Sequence, residues 1–167
     1  MIKTKDIIIE DTLNTAKERA ITEKASAFVS ITEPIDKVDP VQFFHAGKWL
    51  DNSRTFWSVP DRSLYYVGIG EATSYQVKEN AYQQLKYYWK RLMDRAIIIN
   101  EDPAVSAGPK MFGGFPFDTK EQYSELWNEF QGSEFRVPSY LLTIESDKAY
   151  FTINLFIEAH SDTKEII

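Results

Sequence analysis

The chain has 167 residues, which suits one domain or one lobe of a larger protein, and its 43% apolar and 14% aromatic content predicts a folded core. The net charge of −6, with four clustered cations confined to one face of a helical stretch at residues 86–95, argues against nucleic-acid binding. Because there is no cysteine, disulfides, thiolate metal sites and a cysteine nucleophile are excluded.

The start of the chain has no targeting or membrane signal. Its longest early apolar run is the three isoleucines at residues 7–9, which is shorter than the core of a signal peptide. No stretch approaches the roughly 20 apolar residues of a membrane span. We therefore expect a cytoplasmic protein that does not bind membranes.

The first elements along the chain are short. Segment 1–24 is polar, and four of its apolar residues have the spacing of a short helix: Leu13, Ala16, Ala20 and Ile21. Residues 27–32 are rich in β-branched side chains and predict a strand. Asp39 followed by Pro40 matches the cap and first position of a helix, so a second short helix is expected there.

Two antiparallel hairpins are expected. Residues 55–59 and 64–70 read as strands joined by turn-forming residues, and residues 139–145 and 149–157 form a second pair around a short polar connection. In the last strand, alternate positions are apolar on both faces, which predicts that both faces are covered. Residues 110–115 read as a further strand, interrupted by two glycines.

One long amphipathic helix is expected at residues 77–96. Its apolar stripe recurs at steps of three and four: Ala81, Leu85, Tyr88, Trp89, Leu92 and Ala96. Residues 123–130 have the pattern of a short helical turn. The elements together predict an α+β fold, a mainly antiparallel sheet with this one long helix packed on it.

The glycine-rich segments do not form a nucleotide site. Gly68-Ile69-Gly70 lacks the third glycine of a dinucleotide fingerprint and does not clearly open a helix. Gly113-Gly114 is not followed by the lysine and hydroxyl residue of a phosphate loop. We interpret both as places where another segment approaches the backbone closely.

The titratable residues do not suggest a catalytic or metal site either. His45 lies among aromatic residues, His160 lies in a polar tail, and neither has a second ligand at metal spacing. The carboxylates at Glu10-Asp11, Glu101-Asp102 and Glu158 are interpreted as solvated. The sequence therefore predicts no catalytic, cofactor-binding or metal-ligating residue.

Five segments of the chain form a recognisable series. They are Phe56-Trp57, Leu64-Tyr65-Tyr66-Val67-Gly68-Ile69-Gly70-Glu71-Ala72, Gly108-Pro109-Lys110-Met111-Phe112-Gly113-Gly114-Phe115-Pro116-Phe117-Asp118, Trp127-Asn128-Glu129-Phe130 and Phe135-Arg136-Val137-Pro138-Ser139-Tyr140-Leu141-Leu142. Each segment alone is weak, but in this order and with these separations they resemble the N-terminal region of the chorismate-utilising enzymes, specifically the isochorismate synthases. The resemblance covers residues 25–157.

The resemblance implies that residues 25–158 form an N-terminal lobe, part of a fold like component I of anthranilate synthase, followed by a polar tail at 159–167. It implies an isomerase parent that converts chorismate to isochorismate in menaquinone or siderophore biosynthesis. In that family a lysine base, a glutamic acid and Mg²⁺-binding glutamates lie in the later chorismate-binding region. No residue here matches them, so we expect the chain to hold no cofactor and to be inactive alone.

The resemblance also bears on partners. We expect either the missing C-terminal chorismate-binding region or self-association to cover an exposed sheet edge or face. Two alternatives stay open. One is a stand-alone module that binds an aromatic ligand or a protein. The other is the N-terminal part of a salicylate or anthranilate synthase, whose regulatory motif has only a loose counterpart at residues 142–146.

Overall fold

The computed structural model describes residues 2–51, 53–77, 80–100, 102, 106–116, 132–164 and 166, with side chains described from residue 8 onward. It contains three helices and nine strands within those ranges. In chain order they are α1 (Ile2–Glu23), β1 (Ala27–Ile35), α2 (Pro40–Ala46), β2 (Arg54–Val59), β3 (Leu64–Ile69), β4 (Thr73–Val77), α3 (Ala81–Arg95), β5 (Ile97–Asn100), β6 (Phe112–Gly114), β7 (Ser133–Val137), β8 (Tyr140–Glu145) and β9 (Lys148–Ile157).

The strands form two sheets. A six-stranded sheet has the order β2-β3-β8-β9-β1-β5, and a three-stranded sheet has the order β4-β7-β6. Every neighbouring pair is antiparallel except β1 and β5, which run parallel. The predicted α+β class with a mainly antiparallel sheet is therefore confirmed, and both predicted hairpins are present as β2–β3 and β8–β9.

Helix α1 covers one half of the large sheet. It has 22 residues, so it is longer than the short helix that its apolar spacing indicates. Its Leu13 and Ala16 are buried against Ala27 and Val29 of β1 and Ile157 of β9. The buried apolar face of α1 is inconspicuous in the sequence because two of its members are alanines. Alanine fits where a helix lies close to a sheet.

Helix α2 covers the other half of the same face of the large sheet. As the sequence predicts, it begins at Asp39, whose carboxylate accepts hydrogen bonds from the backbone N–H groups of Val41 at 2.7 Å and Gln42 at 2.9 Å. Its Phe43 and Phe44 pack on a second apolar cluster of the sheet. The members of that cluster are Val67, Leu142, Ile144 and Ala149.

Helix α3 packs on the small sheet and is shorter than the expected residues 77–96. The ring of Tyr88 stacks on Tyr75 of β4 with centroids 4.2 Å apart, and the Tyr88 hydroxyl shares a hydrogen bond of 3.0 Å with Thr73. None of its residues is fully buried, and α1 is longer. The expected amphipathic helix is present as α3, but it begins later than expected because Val77 ends β4, and α1 is a second, longer helix. The helical turn expected at 123–130 lies outside the described residues.

Candidate functional site

The large sheet has a polar face on the side away from α1 and α2. Cross-strand partners share a face, so the register places one set of small polar residues together there. They are all buried: Ser30, Thr32, Thr143, Thr152 and Asn154.

Most of this polar face is satisfied internally. The Ser30 hydroxyl donates to Asn154 Oδ1 at 2.8 Å, and the hydroxyls of Thr32 and Thr152 share a hydrogen bond of 2.9 Å. The Asn154 side-chain amide donates to the carbonyl of Pro138 at 2.8 Å. These bonds link β9 to β1 and to the start of β8, so the polar residues contribute to a fixed sheet register.

Two buried acceptors on the same face have no partner among the described residues. They are Thr143 Oγ1 in β8 and Asn100 Oδ1 at the end of β5. Thr143 lies opposite Tyr66 of β3 and Tyr150 of β9 in the sheet register. A buried polar atom without a hydrogen bond lowers the free energy of unfolding. These two atoms are therefore where hydrogen bonding on the polar face is incomplete.

Residues 106–112 cross this polar face, and we call them the strap. The Ser106 hydroxyl donates to the Glu145 carboxylate at the end of β8. The Lys110 ammonium donates to the Ala107 carbonyl at 3.3 Å and lies 5.9 Å from the centre of the Tyr66 ring. Both Ser106 and Ala107 are buried, so the strap packs closely against the β3 and β8 part of this face.

Two titratable groups, Tyr66 of β3 and Lys110 of the strap, lie close together. Burial raises the pKa of the Tyr66 hydroxyl, and the negative charge of Glu145 raises it further. Burial lowers the pKa of the Lys110 ammonium, which forms no ion pair within the described part of the chain. Tyr66 therefore stays a hydrogen-bond donor at neutral pH, and Lys110 contacts only a carbonyl and a ring.

Of the glycines singled out in the sequence, Gly68 and Gly113 are sites of close packing, as interpreted, whereas Gly114 has no atom within 4 Å of an added Cβ. A Cβ on Gly68 would lie 2.9 Å from Pro138 Cβ, and one on Gly113 would lie 2.1 Å from the Glu134 carbonyl oxygen. Gly70 has a φ of +73°, which glycine adopts without strain. Gly113 pairs with Phe135 of β7, so its backbone lies within a sheet.

The histidines and carboxylates are dispersed. His45 is exposed on α2, and His160 forms an exposed pair with Glu158 at 3.0 Å. Asp102 accepts a hydrogen bond of 2.8 Å from the Tyr150 hydroxyl, while Glu101 lies outside the described residues and Glu10 and Asp11 are exposed on α1. In the described ranges no three such residues lie close enough to hold a metal ion together.

Thr143 and Thr152 allow a matched test of the polar face. Thr143→Val should leave the free energy of unfolding unchanged or raise it by about 1 kcal/mol, because it removes a buried hydroxyl that has no partner. Thr152→Val should lower it by about 1–3 kcal/mol, because it leaves the Thr32 hydroxyl unpaired. Urea denaturation measures both, and equal losses would contradict the assignment.

Comparison with known proteins decides the family. A family model described as "Chorismate binding enzyme" matches residues 13–167, nearly the whole chain. The chain belongs to the chorismate-binding enzymes. It is also 29% identical over 149 residues to the isochorismate synthase MenF of Bacillus subtilis (strain 168), a match that covers 85% of this chain and 32% of that relative. The chain thus spans about a third of the length of the curated relative it matches.

Membership in the chorismate-binding enzymes confirms the resemblance carried by the five sequence segments. The segment around Gly113 forms β6, and the segment that begins at Phe135 forms β7 and leads into β8. The sequence patterns did not identify the buried polar residues of the large sheet as a group. The available signal was the alternation of Ser30 and Thr32 with apolar residues of β1, repeated at Thr152 and Asn154 of β9.

Of the described helices, none has the length and apolarity needed to cross a membrane.

Proposed function

We propose that this chain is the N-terminal scaffold portion of an isochorismate synthase and that it does not catalyse the reaction alone. The observation that carries the proposal is the 29% identity over 149 residues to a curated isochorismate synthase, of which the match covers only 32%. The parent enzyme would isomerise chorismate to isochorismate in the cytoplasm, as a step of menaquinone or siderophore biosynthesis.

The arrangement of the described residues supports a scaffold role. The large sheet is held by an apolar core on one face and by bonded polar residues on the other, such as Ser30 with Asn154. Lys110, whose pKa is lowered by burial, donates a hydrogen bond to a backbone carbonyl and forms no ion pair in the described part of the chain.

The remaining groups of the reaction would come from the other part of the enzyme. We propose that the general base, the general acid and the residues that hold Mg²⁺ belong to a chorismate-binding region outside this chain. The lack of a cluster of three candidate metal ligands among the described residues supports this proposal. The present chain would contribute the sheets on which that region packs.

Complementation tests the proposal. The purified chain is mixed with the part of the B. subtilis relative that lies outside the 149-residue match, and isochorismate is measured with chorismate and Mg²⁺. We expect the mixture to form isochorismate and neither component to do so alone. A mixture that forms a complex but gives no product would contradict the proposal.

The same samples separate the alternatives. Salicylate or anthranilate as the product of the mixture would support a different branch of the family. A rise in the melting temperature of this chain alone with chorismate or tryptophan would support a stand-alone ligand-binding module, since a ligand that binds only the folded state stabilises it by mass action. We expect no such rise.

A further inference from the structure

Strand β2 forms one edge of the large sheet and pairs only with β3 among the described strands. The N–H of Gly70 donates to the carbonyl of Ser53 at 2.8 Å, which sets the alternation of the strand that follows. In an antiparallel pair every second residue points its backbone groups at the partner. Arg54, Phe56 and Ser58 therefore point theirs away from β3, toward the open side of the sheet.

This edge lacks the features that usually block sheet extension. Its register with β3 is unbroken from Arg54 to Val59, so there is no bulge, and the strand contains no proline. Its one charge is Arg54, at its beginning. Trp57 is 57% exposed, and Trp49 in the preceding turn is 89% exposed. Natural edge strands are normally protected by charge, proline or a bulge, so β2 is available for pairing.

We propose that a second copy of this chain pairs with β2 in antiparallel orientation, with Phe56 opposite Phe56 of the other copy. This register matches outward-pointing residues with outward-pointing residues, so each opposed pair exchanges both backbone hydrogen bonds. It also places Arg54 opposite Ser58 of the second copy, so the only charge on the strand faces a neutral residue. A register with Arg54 opposite itself would oppose like charges.

The second copy fits this edge for a reason of symmetry. A strand that pairs with itself about a two-fold axis uses the same surface twice and closes as a dimer. The strand is nearly uncharged, and the register centred on Phe56 pairs it with itself from Arg54 to Ser58. The exposed Trp57 would then lie opposite Thr55 of the other copy and be partly covered. The pairing needs neither chorismate nor the catalytic region, so it stands apart from the proposed function.

Substitutions that place a positive or a negative charge at Ser58 test the register of the proposed strand pair. The Ser58 side chain is exposed, so both substitutions leave the monomer intact. Ser58→Lys places a like charge opposite Arg54 twice in the dimer, and Ser58→Glu places an opposite charge there. Sedimentation equilibrium of the full chain should show a dimer whose Kd is raised about fivefold by Ser58→Lys and lowered about fivefold by Ser58→Glu, from two cross-strand pairs each.

Proline at the same position tests the edge itself. Ser58→Pro removes an N–H that points away from β3, so the dimer should be lost while the melting temperature of the monomer stays within a few degrees of the parent. Trp57→Pro removes an N–H bonded to β3 and should instead unfold the hairpin. The proposal is overturned if the chain is monomeric at all concentrations, or if its dimer is equally stable in every Ser58 variant. It is also overturned if only the remaining part of the relative binds this edge.

Discussion

Gly113→Ala is expected to cause the larger of two stability losses, by forcing β6 away from β7. The added Cβ would lie 2.1 Å from the Glu134 carbonyl oxygen and 2.7 Å from the Phe135 Cα. Both are backbone atoms of β7 held by the strand register, so no side-chain rotation relieves the contact. We expect the free energy of unfolding to fall by about 3 kcal/mol or more, measured by urea denaturation.

The neighbouring glycine provides the control. A Cβ on Gly114 meets no atom within 4 Å, and its φ is not positive, so Gly114→Ala introduces no contact and no backbone strain. We expect it to be neutral or to stabilise by about 0.5 kcal/mol, because alanine lowers the entropy of the unfolded chain. Similar losses for both variants would contradict the close approach at Gly113.

Leu13→Ala is the second substitution with a large expected effect. Leu13 is fully buried where α1 meets β1 and β9, so its truncation removes apolar contacts and leaves a cavity. We expect a loss of about 2–5 kcal/mol in the free energy of unfolding. Thermal and urea denaturation measure the change. A loss of this size would establish that the N-terminal helix is part of the folded core rather than an appended polar segment.

Ile21→Ala in the same helix serves as the matched control. Its side chain is 54% exposed, so truncation forms no cavity and should change the free energy of unfolding by less than about 1 kcal/mol. The two substitutions share helix and chemical type and differ in burial. Equal effects would show that α1 does not pack on the sheet as described.

The parts of the fold that local rules determine were predictable. The Asp39 cap needs only a carboxylate followed by proline and the following N–H groups, all within a few residues. The β2–β3 hairpin has a short turn and needs no distant partner, and the left-handed Ser63 closes that turn. Such elements depend on sequence-local contacts, which composition and spacing report directly.

The parts set by distant contacts were not predictable. The parallel pairing of β1 with β5 joins Val29 to Ile97, and nothing in either strand alone specifies it. The five-residue strands β4 and β7 pair across about sixty residues, and each is too short to show a clear period. The extent of α1 burial was also not predictable, because Ala16 and Ala20 bury little area individually and many of the other residues of the helix are charged.

The polar face could be predicted only in part. Ser30 and Thr32 alternate with apolar residues, but an alternating strand normally exposes its polar side chains. They are buried here, and at the β8 and β3 end of the same face the strap contacts Glu145 and Tyr66, which no local pattern in β1 reports. The family resemblance was recognisable because its short segments keep their order and spacing, which does not require knowledge of these contacts.

Turnover of chorismate by the purified chain alone tests the central claim most directly. The chain is incubated with chorismate and Mg²⁺ at increasing protein concentration, and isochorismate is quantified against a protein-free blank. We expect no product above the blank at any concentration, because the proposed general base, general acid and Mg²⁺-binding residues belong to a region outside this chain. Isochorismate formed in proportion to the amount of this chain would contradict the assignment of a scaffold role.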